Sequence, residues 1–221
     1  DDKSADEQLA AAIQRGISGS DEPPLLNAHG TIEHDFFHLP ADRKETDQIN
    51  NELLATGQQF VYGDSDIEEQ KLWVFPPLAA QPGELRPCVL FIHGGGWGGH
   101  ARSLAAQCVY LQRRGYTTVS THFRPPKGDL TPQDTLRDAR KAYRWIIEHG
   151  REHHIDPKRI VVSGGSAGGH LSLALSTISL NDDPVIKNLP QGYVLFNPVI
   201  DLVDGWAGGR KKCESDGIVP Q

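Results

Sequence analysis

The sequence predicts an α/β fold, a mostly parallel sheet with helices on both faces. Three observations lead there. Short apolar runs alternate with longer stretches whose apolar residues recur every three or four positions. One run, residues 87–93 (PCVLFIH), is apolar almost throughout, as a strand buried on both faces must be. Glycine or proline closes most of the helical stretches. A chain of 221 residues fits one domain of ordinary size, and 38% apolar residues with 23 Gly and 15 Pro exclude a mainly disordered one.

The elements follow in order. Ser4-x-x-Glu7 has the form of a capping box, Leu9 and Ile13 share a face, and Gly16 ends that helix. Residues 17–30 read as linker. A second helix is expected over roughly 42–56, with Ile49 and Leu53 on one face and Gly57 as its stop. Residues 1–58 thus form an acidic leader, and 59–221 form the body. In the body, strands are expected at 70–75, before Pro76-Pro77, and at 87–93. A helix follows with Leu104, Cys108 and Leu111 on one stripe and Gly115 after it. Next come a strand at 116–121 and a long helix over 132–149, with Leu136, Ala139, Tyr143, Ile146 and Ile147 inward. A turn at Asp156-Pro157 leads to a strand at 160–163, a helix over 168–177 and a strand at 192–196.

Charge narrows the partners. Residues 1–71 carry 16 acidic and 5 basic side chains, whereas 72–221 carry 13 and 17. An acidic leader argues against nucleic acid, whose phosphates it would repel. No apolar run approaches the ~20 residues of a membrane-spanning helix. Three scattered cysteines without CxxC spacing make neither a disulfide framework nor a zinc site, and Cys88 and Cys108 read as small core residues. His34 and His38, spaced i and i+4, lack further ligands for a metal. The chain contains no Met, even at position 1, which leans toward processing, export or excision from something longer.

The chemistry concentrates at two glycine-rich turns. Gly164-Gly165-Ser166-Ala167-Gly168 lies between a predicted strand and a predicted helix, the setting of a nucleophile elbow. A turn this sharp needs small neighbours, and it would lift the Ser166 hydroxyl clear of the backbone at the positive end of a helix. The second turn, His93-Gly94-Gly95-Gly96-Trp97, directly follows the apolar strand. Its glycines allow backbone N–H groups to point at a substrate and, with the N–H of Ala167, to hold an oxyanion. His93 is expected to hold this loop by hydrogen bonding rather than to act as a base. Trp97 either lines an acyl pocket or packs on the loop. His149, His153 and His154 suit a helix end and a solvent-facing loop.

HGGGW and GGSAGG, in this order, resemble the hormone-sensitive-lipase-like esterases of the α/β-hydrolase superfamily, with their acetyl-esterase and feruloyl-esterase-like relatives nearest. The resemblance spans roughly 60–205 and includes Asp156-Pro157-x-Arg159-Ile160 and Asn197-Pro198. It implies an α/β-hydrolase fold and a carboxylic-ester hydrolase acting through an acyl-serine, without cofactor or metal, on short acyl groups such as acetate. It implies Ser166 as nucleophile and Gly94, Gly95 and Ala167 as oxyanion donors.

The sequence also departs from that pattern. In the superfamily the acid and then the histidine follow the nucleophile. The 55 residues after Ser166 contain one histidine, His170, in the first turn of the next helix and poorly placed to take the serine proton. Asp201 is the candidate acid, with a structural role at a strand end as its alternative. The expectation is therefore a fold whose last strands are missing and a chain that is inactive, or nearly so, alone. Two other functions compete. One is a non-catalytic binding protein of the same fold, as in the plant gibberellin receptors. The other is a serine peptidase of the prolyl-oligopeptidase type, against which the HGGGW loop speaks.

Overall fold

A computed structural model describes residues 43–179 and 183–200. The expected first helix, the linker, His34, His38, Asp201 and Cys213 lie outside the described residues. The elements are α1 (Arg43–Leu54), β1 (Gln58–Val61), β2 (Lys71–Phe75), β3 (Arg86–Ile92), α2 (Ala105–Gln112), β4 (Thr117–Thr121), α3 (Pro132–His149), β5 (Ile155–Gly165), α4 (Ala167–Ala174) and β6 (Gly192–Phe196). The six strands form one sheet in the order β1-β2-β4-β3-β5-β6. β4, β3, β5 and β6 pair in parallel, and β2 pairs antiparallel with both β1 and β4. The right-handed-crossover logic of α/β units places a helix between successive parallel strands, as α2, α3 and α4 show.

Alternation along the strands splits the core into two layers. Leu72, Val74, Leu90, Ile92, Val119 and Val162 face one side, where Ala139, Tyr143 and Ile146 of α3 and Leu171 of α4 cover them. Trp73, Phe75 and Phe91 face the other, where Ala105, Cys108 and Val109 of α2 cover them. Leu54 of α1 joins this second layer, so the helix read from sequence as part of the leader packs on the sheet. Cys88 and Cys108 are both free and fully buried, as small apolar side chains.

The sequence reading differs from the structure in four places. The polar strand β1, with only Phe60 partly buried, has no apolar signature. Gln70 closes a 3-10 turn (Glu68–Gln70) instead of opening β2. The α2 stripe of Leu104, Cys108 and Leu111 packs on the sheet as expected but is wider, because Ala105 and Val109 join it in the core and Leu104 stands at the helix N-cap. Asp156-Pro157 lies within β5, where the pairing with β3 shifts register between Arg86–Ile155 and Cys88–Ile160.

The segment after β4 is pinned to α3 by a buried carboxylate. Asp138 is fully buried and accepts from Arg124 Nε at 2.8 Å and Nη2 at 2.7 Å. The Arg124 backbone N–H at 3.0 Å and the Gln70 amide at 3.2 Å complete its shell. The N-terminus of α3 is closed by a capping box, in which Thr131 and Asp134 exchange hydrogen bonds.

Candidate active site

Three parallel strands deliver the site, because β3, β5 and β6 all end at the same edge of the sheet. β5 runs into Gly165, and α4 starts at Ala167, leaving Ser166 alone in the turn. Ser166 takes φ 53°, ψ −121°, a conformation that side chains other than glycine rarely adopt. Neighbours hold it there. Its N–H donates to the Phe196 carbonyl at 2.9 Å, and its carbonyl accepts from His170 N–H at 3.1 Å and Val199 N–H at 3.3 Å.

The turn closes only because its flanks are small. A Cβ on Gly164 would meet the Gly168 carbonyl at 2.5 Å and the Ile92 carbonyl at 2.7 Å, and one on Gly168 would run into the Ile92 carbonyl. The elbow therefore packs directly on the end of β3, where the HGGGW loop begins. A Cβ on Gly94 would lie 2.5 Å from the Gly165 carbonyl and 3.4 Å from the Ser166 Cβ. Gly94 and Ser166, predicted from separate motifs, are thus brought together. Gly95 and Gly96 continue the loop at φ 75° and 59°, and Trp97 at φ 64°. The loop folds back through bonds from Gly98 N–H to the Gly95 carbonyl at 3.0 Å and Gly99 N–H to the Gly94 carbonyl at 3.2 Å. Ala167 is buried as the first residue of α4, where N–H groups have no acceptor within the helix. Trp97 is half-buried against the main core layer and meets the His170 ring edge-on at 6.2 Å.

His93 is fully buried and stacks on Phe123, with ring centroids 4.0 Å apart. Its Nδ1 lies 3.1 Å from the Gly94 carbonyl, so it does hold the loop by hydrogen bonding. Its Nε2 lies 2.8 Å from His122 Nδ1, a buried pair that motif reading missed. The signal is visible only with the strand register. Ile92 pairs with Thr121 in the parallel β3–β4 ladder, so the next residue of each strand, His93 and His122, stand side by side. Burial lowers His93 to about 3 and His122 to about 4, and each also feels a neighbouring histidine. Both are neutral at pH 7.

His170 is committed elsewhere, since its Nδ1 donates to the Val199 carbonyl at 2.8 Å. Among the described residues, no histidine is hydrogen-bonded to the Ser166 hydroxyl, and no group of three or more His, Cys, Asp or Glu side chains is arranged to hold a metal. No helix among them is long and apolar enough to cross a membrane. The site therefore sets a strained serine beside the first glycine of the loop and at the N-terminus of α4.

Residues 76–203 match the BD-FAE family. An esterase of Gibberella moniliformis is 33% identical over 201 residues, covering 86% of this chain and 57% of that protein. Esterase 2 of Thermogutta terrifontis, solved after phosphorylation by paraoxon, superposes with TM-score 0.61 at 31% identity, over 68% of this chain and 60% of that one. The propionate-bound form of the same esterase gives TM-score 0.60 at 32% identity, over 67% and 57%. The chain thus spans little more than half the length of these relatives.

Proposed function

Because the chain belongs to the BD-FAE family, among the α/β-hydrolase esterases, we propose that it hydrolyses carboxylic esters through an acyl-serine on Ser166. The observation that carries this reading is the juxtaposition of the strained Ser166 with Gly94 of the glycine loop. Ser166 Oγ attacks the ester carbonyl while its proton passes to a general base. The carbonyl oxygen becomes an oxyanion held by the N–H groups of Gly94, Gly95 and Ala167. Collapse of the tetrahedral species expels the alcohol, which takes a proton back, and leaves the acyl group on Ser166. Water then repeats the attack, releasing the acid and restoring the serine.

The base and its acid follow the nucleophile in this superfamily, and Asp201 is the candidate acid in this chain. Among the described residues no histidine meets the Ser166 hydroxyl, and the relatives are longer than the part this chain matches. Short acyl groups are favoured, a preference supported by propionate bound to a structural relative. No cofactor or metal is invoked. The partner is a small ester, and neither nucleic acid nor a membrane-spanning segment enters the mechanism.

The test uses the full natural protein and this 221-residue chain. Each is treated with paraoxon and digested for mass spectrometry, then assayed on nitrophenyl acetate, butyrate and palmitate. We expect phosphorylation of Ser166 in the full protein, turnover favouring the short esters, and loss of both in Ser166→Ala. Specific binding of a small ligand without labelling or turnover would overturn this reading in favour of a non-catalytic binding protein.

A further inference from the structure

Beneath the glycine loop lies a string of side chains that ester hydrolysis by Ser166 does not itself require. His93 follows β3 and His122 follows β4, and their rings are joined at Nε2···Nδ1, 2.8 Å. On its far side His122 meets the His100 ring, 4.5 Å between centroids. His100 Nδ1 accepts the Arg102 backbone N–H at 3.1 Å, so its neutral form carries the proton on Nε2, which faces Glu68 at 3.4 Å. His122 is held from below as well. Its carbonyl accepts the Tyr62 hydroxyl at 2.7 Å, and its N–H donates to the Lys71 carbonyl at 2.9 Å.

Tautomers follow from the acceptors. The Gly94 carbonyl can only accept, so His93 carries its proton on Nδ1. A neutral His93 then has a bare Nε2, which must receive a hydrogen bond to be buried without cost. The atom opposite is His122 Nδ1, which therefore carries the proton. One donor just past the end of β4 thus sets the protonation and ring orientation of His93, and His93 in turn holds the carbonyl of the first loop glycine.

We propose that His122 is a positioning residue for the oxyanion loop, donating from Nδ1 to His93 Nε2 and thereby fixing the peptide planes of Gly94 and Gly95 against Ser166. It touches no substrate and acts through His93 alone. The inference rests on the reading of Gly94 and Gly95 as oxyanion donors, and it assigns a second strand to their preorganisation. β4 pairs with β3 on one side and β2 on the other, so this support comes from the middle of the sheet and not from a mobile loop.

The experiment compares the full natural protein with His122→Ala and His122→Asn. Asn is chosen because its side-chain N–H₂ takes about the place of imidazole Nδ1–H, whereas Ala leaves His93 Nε2 bare. Long-range ¹H–¹⁵N correlations of histidine-labelled protein are expected to show both His93 and His122 protonated on Nδ1. The amide resonances of Gly94 and Gly95 are expected to move in the Ala variant and to return toward wild type in the Asn variant. On nitrophenyl acetate, His122→Ala is expected to lower kcat about tenfold or more with KM within about twofold, and Asn to restore most of it; displacement of a positioned group costs up to about 10²-fold.

A His122 proton on Nε2, or glycine resonances indifferent to His122→Ala, would overturn the proposal. Equal losses in Ala and Asn variants, tracking their melting temperatures, would overturn it too and leave His122 a packing residue. Tautomers and glycine resonances are read without turnover. Failure of the acyl-serine reading shows separately, as absent paraoxon labelling of Ser166 in the unsubstituted protein.

Discussion

The backbone N–H of Ser166 donates to the carbonyl of Phe196 at 2.9 Å, so the elbow is held by the last residue of β6 as well as by its own strand. A residue at φ 53°, ψ −121° does not stay there unaided. Such strain costs of order 1–3 kcal/mol and persists where the surroundings over-determine it. Ser166→Gly removes the steric part of that cost, and the greater freedom of glycine in the unfolded chain returns about 0.5–1 kcal/mol of it. Ser166→Gly should therefore be more stable than Ser166→Ala by about 1 kcal/mol, read from paired urea melts. Equal stability would mean that the elbow is unstrained.

The glycine loop should tolerate no side chain at its contact with the elbow. Gly94→Ala places a Cβ 2.5 Å from the Gly165 carbonyl, a backbone atom that cannot rotate away. Either the loop or the elbow must shift, and the Gly94 amide moves from the oxyanion position. Gly95→Val adds a branched side chain at φ 75°, with Gly99 backbone atoms 3.0 Å from its Cβ. Each variant should lose about 10²-fold or more in kcat, the scale of one lost donor. If only the melting temperature falls and kcat is kept, the loop is structural and the oxyanion lies elsewhere.

The buried Asp138 should be worth more than a surface ion pair. It is fully buried, and Arg124, the Arg124 backbone and Gln70 all donate to it. Its removal leaves the buried Gln70 amide and the Arg124 backbone N–H without an acceptor, about 1–3 kcal/mol each, whereas the partly exposed Arg124 guanidinium regains water. Asp138→Ala should lose stability on that scale and loosen the segment after β4 that carries His122 and Phe123. Chemical denaturation checks the loss, and a change under about 1 kcal/mol would mean that water replaces the carboxylate freely.

The parts legible in sequence were those in which backbone geometry restricts the residue type. The elbow needs glycine at 164 and 168 because a Cβ at either would meet a carbonyl, so GGSAGG carries its fold in its composition. β3 and the Ile160–Val162 part of β5 were legible as apolar runs because both of their faces are covered, whereas β4 is buried along its whole length with a mostly Thr and Ser sequence. β1 was not, since an edge strand exposing Gln58, Gln59 and Val61 leaves no apolar pattern. Asp138 lies on the inward stripe of α3 but as a charge, and periodicity read from apolar residues passes over it. The His93–His122 contact joins residues 29 apart in sequence and exists only through the β3–β4 register.

The histidine pair also gives stability an acid limit. Burial lowers His93 to about 3 and His122 to about 4, and for His122 the facing charges of His100 and Arg102 add to this while Glu68 opposes it. In the unfolded chain both histidines take up protons as the pH falls through about 6.5. In the folded chain they stay neutral until about 4 and 3. Between these limits the unfolded state binds more protons, so stability falls as the pH falls. Their contribution is complete above about pH 7.5, is lost progressively below about 6.5, and stops changing once both folded-state values are passed. Asp134, held at about 2 by the Thr131 cap, adds a second loss that starts only below the ordinary carboxylate value. Urea midpoints measured from pH 8 to pH 4 should therefore decline first in the histidine window. His122→Asn removes one titrating group and should make that decline shallower by about one proton's slope while keeping the bond to His93. An unchanged slope in His122→Asn would mean that His122 titrates alike in both states and is not desolvated by the fold.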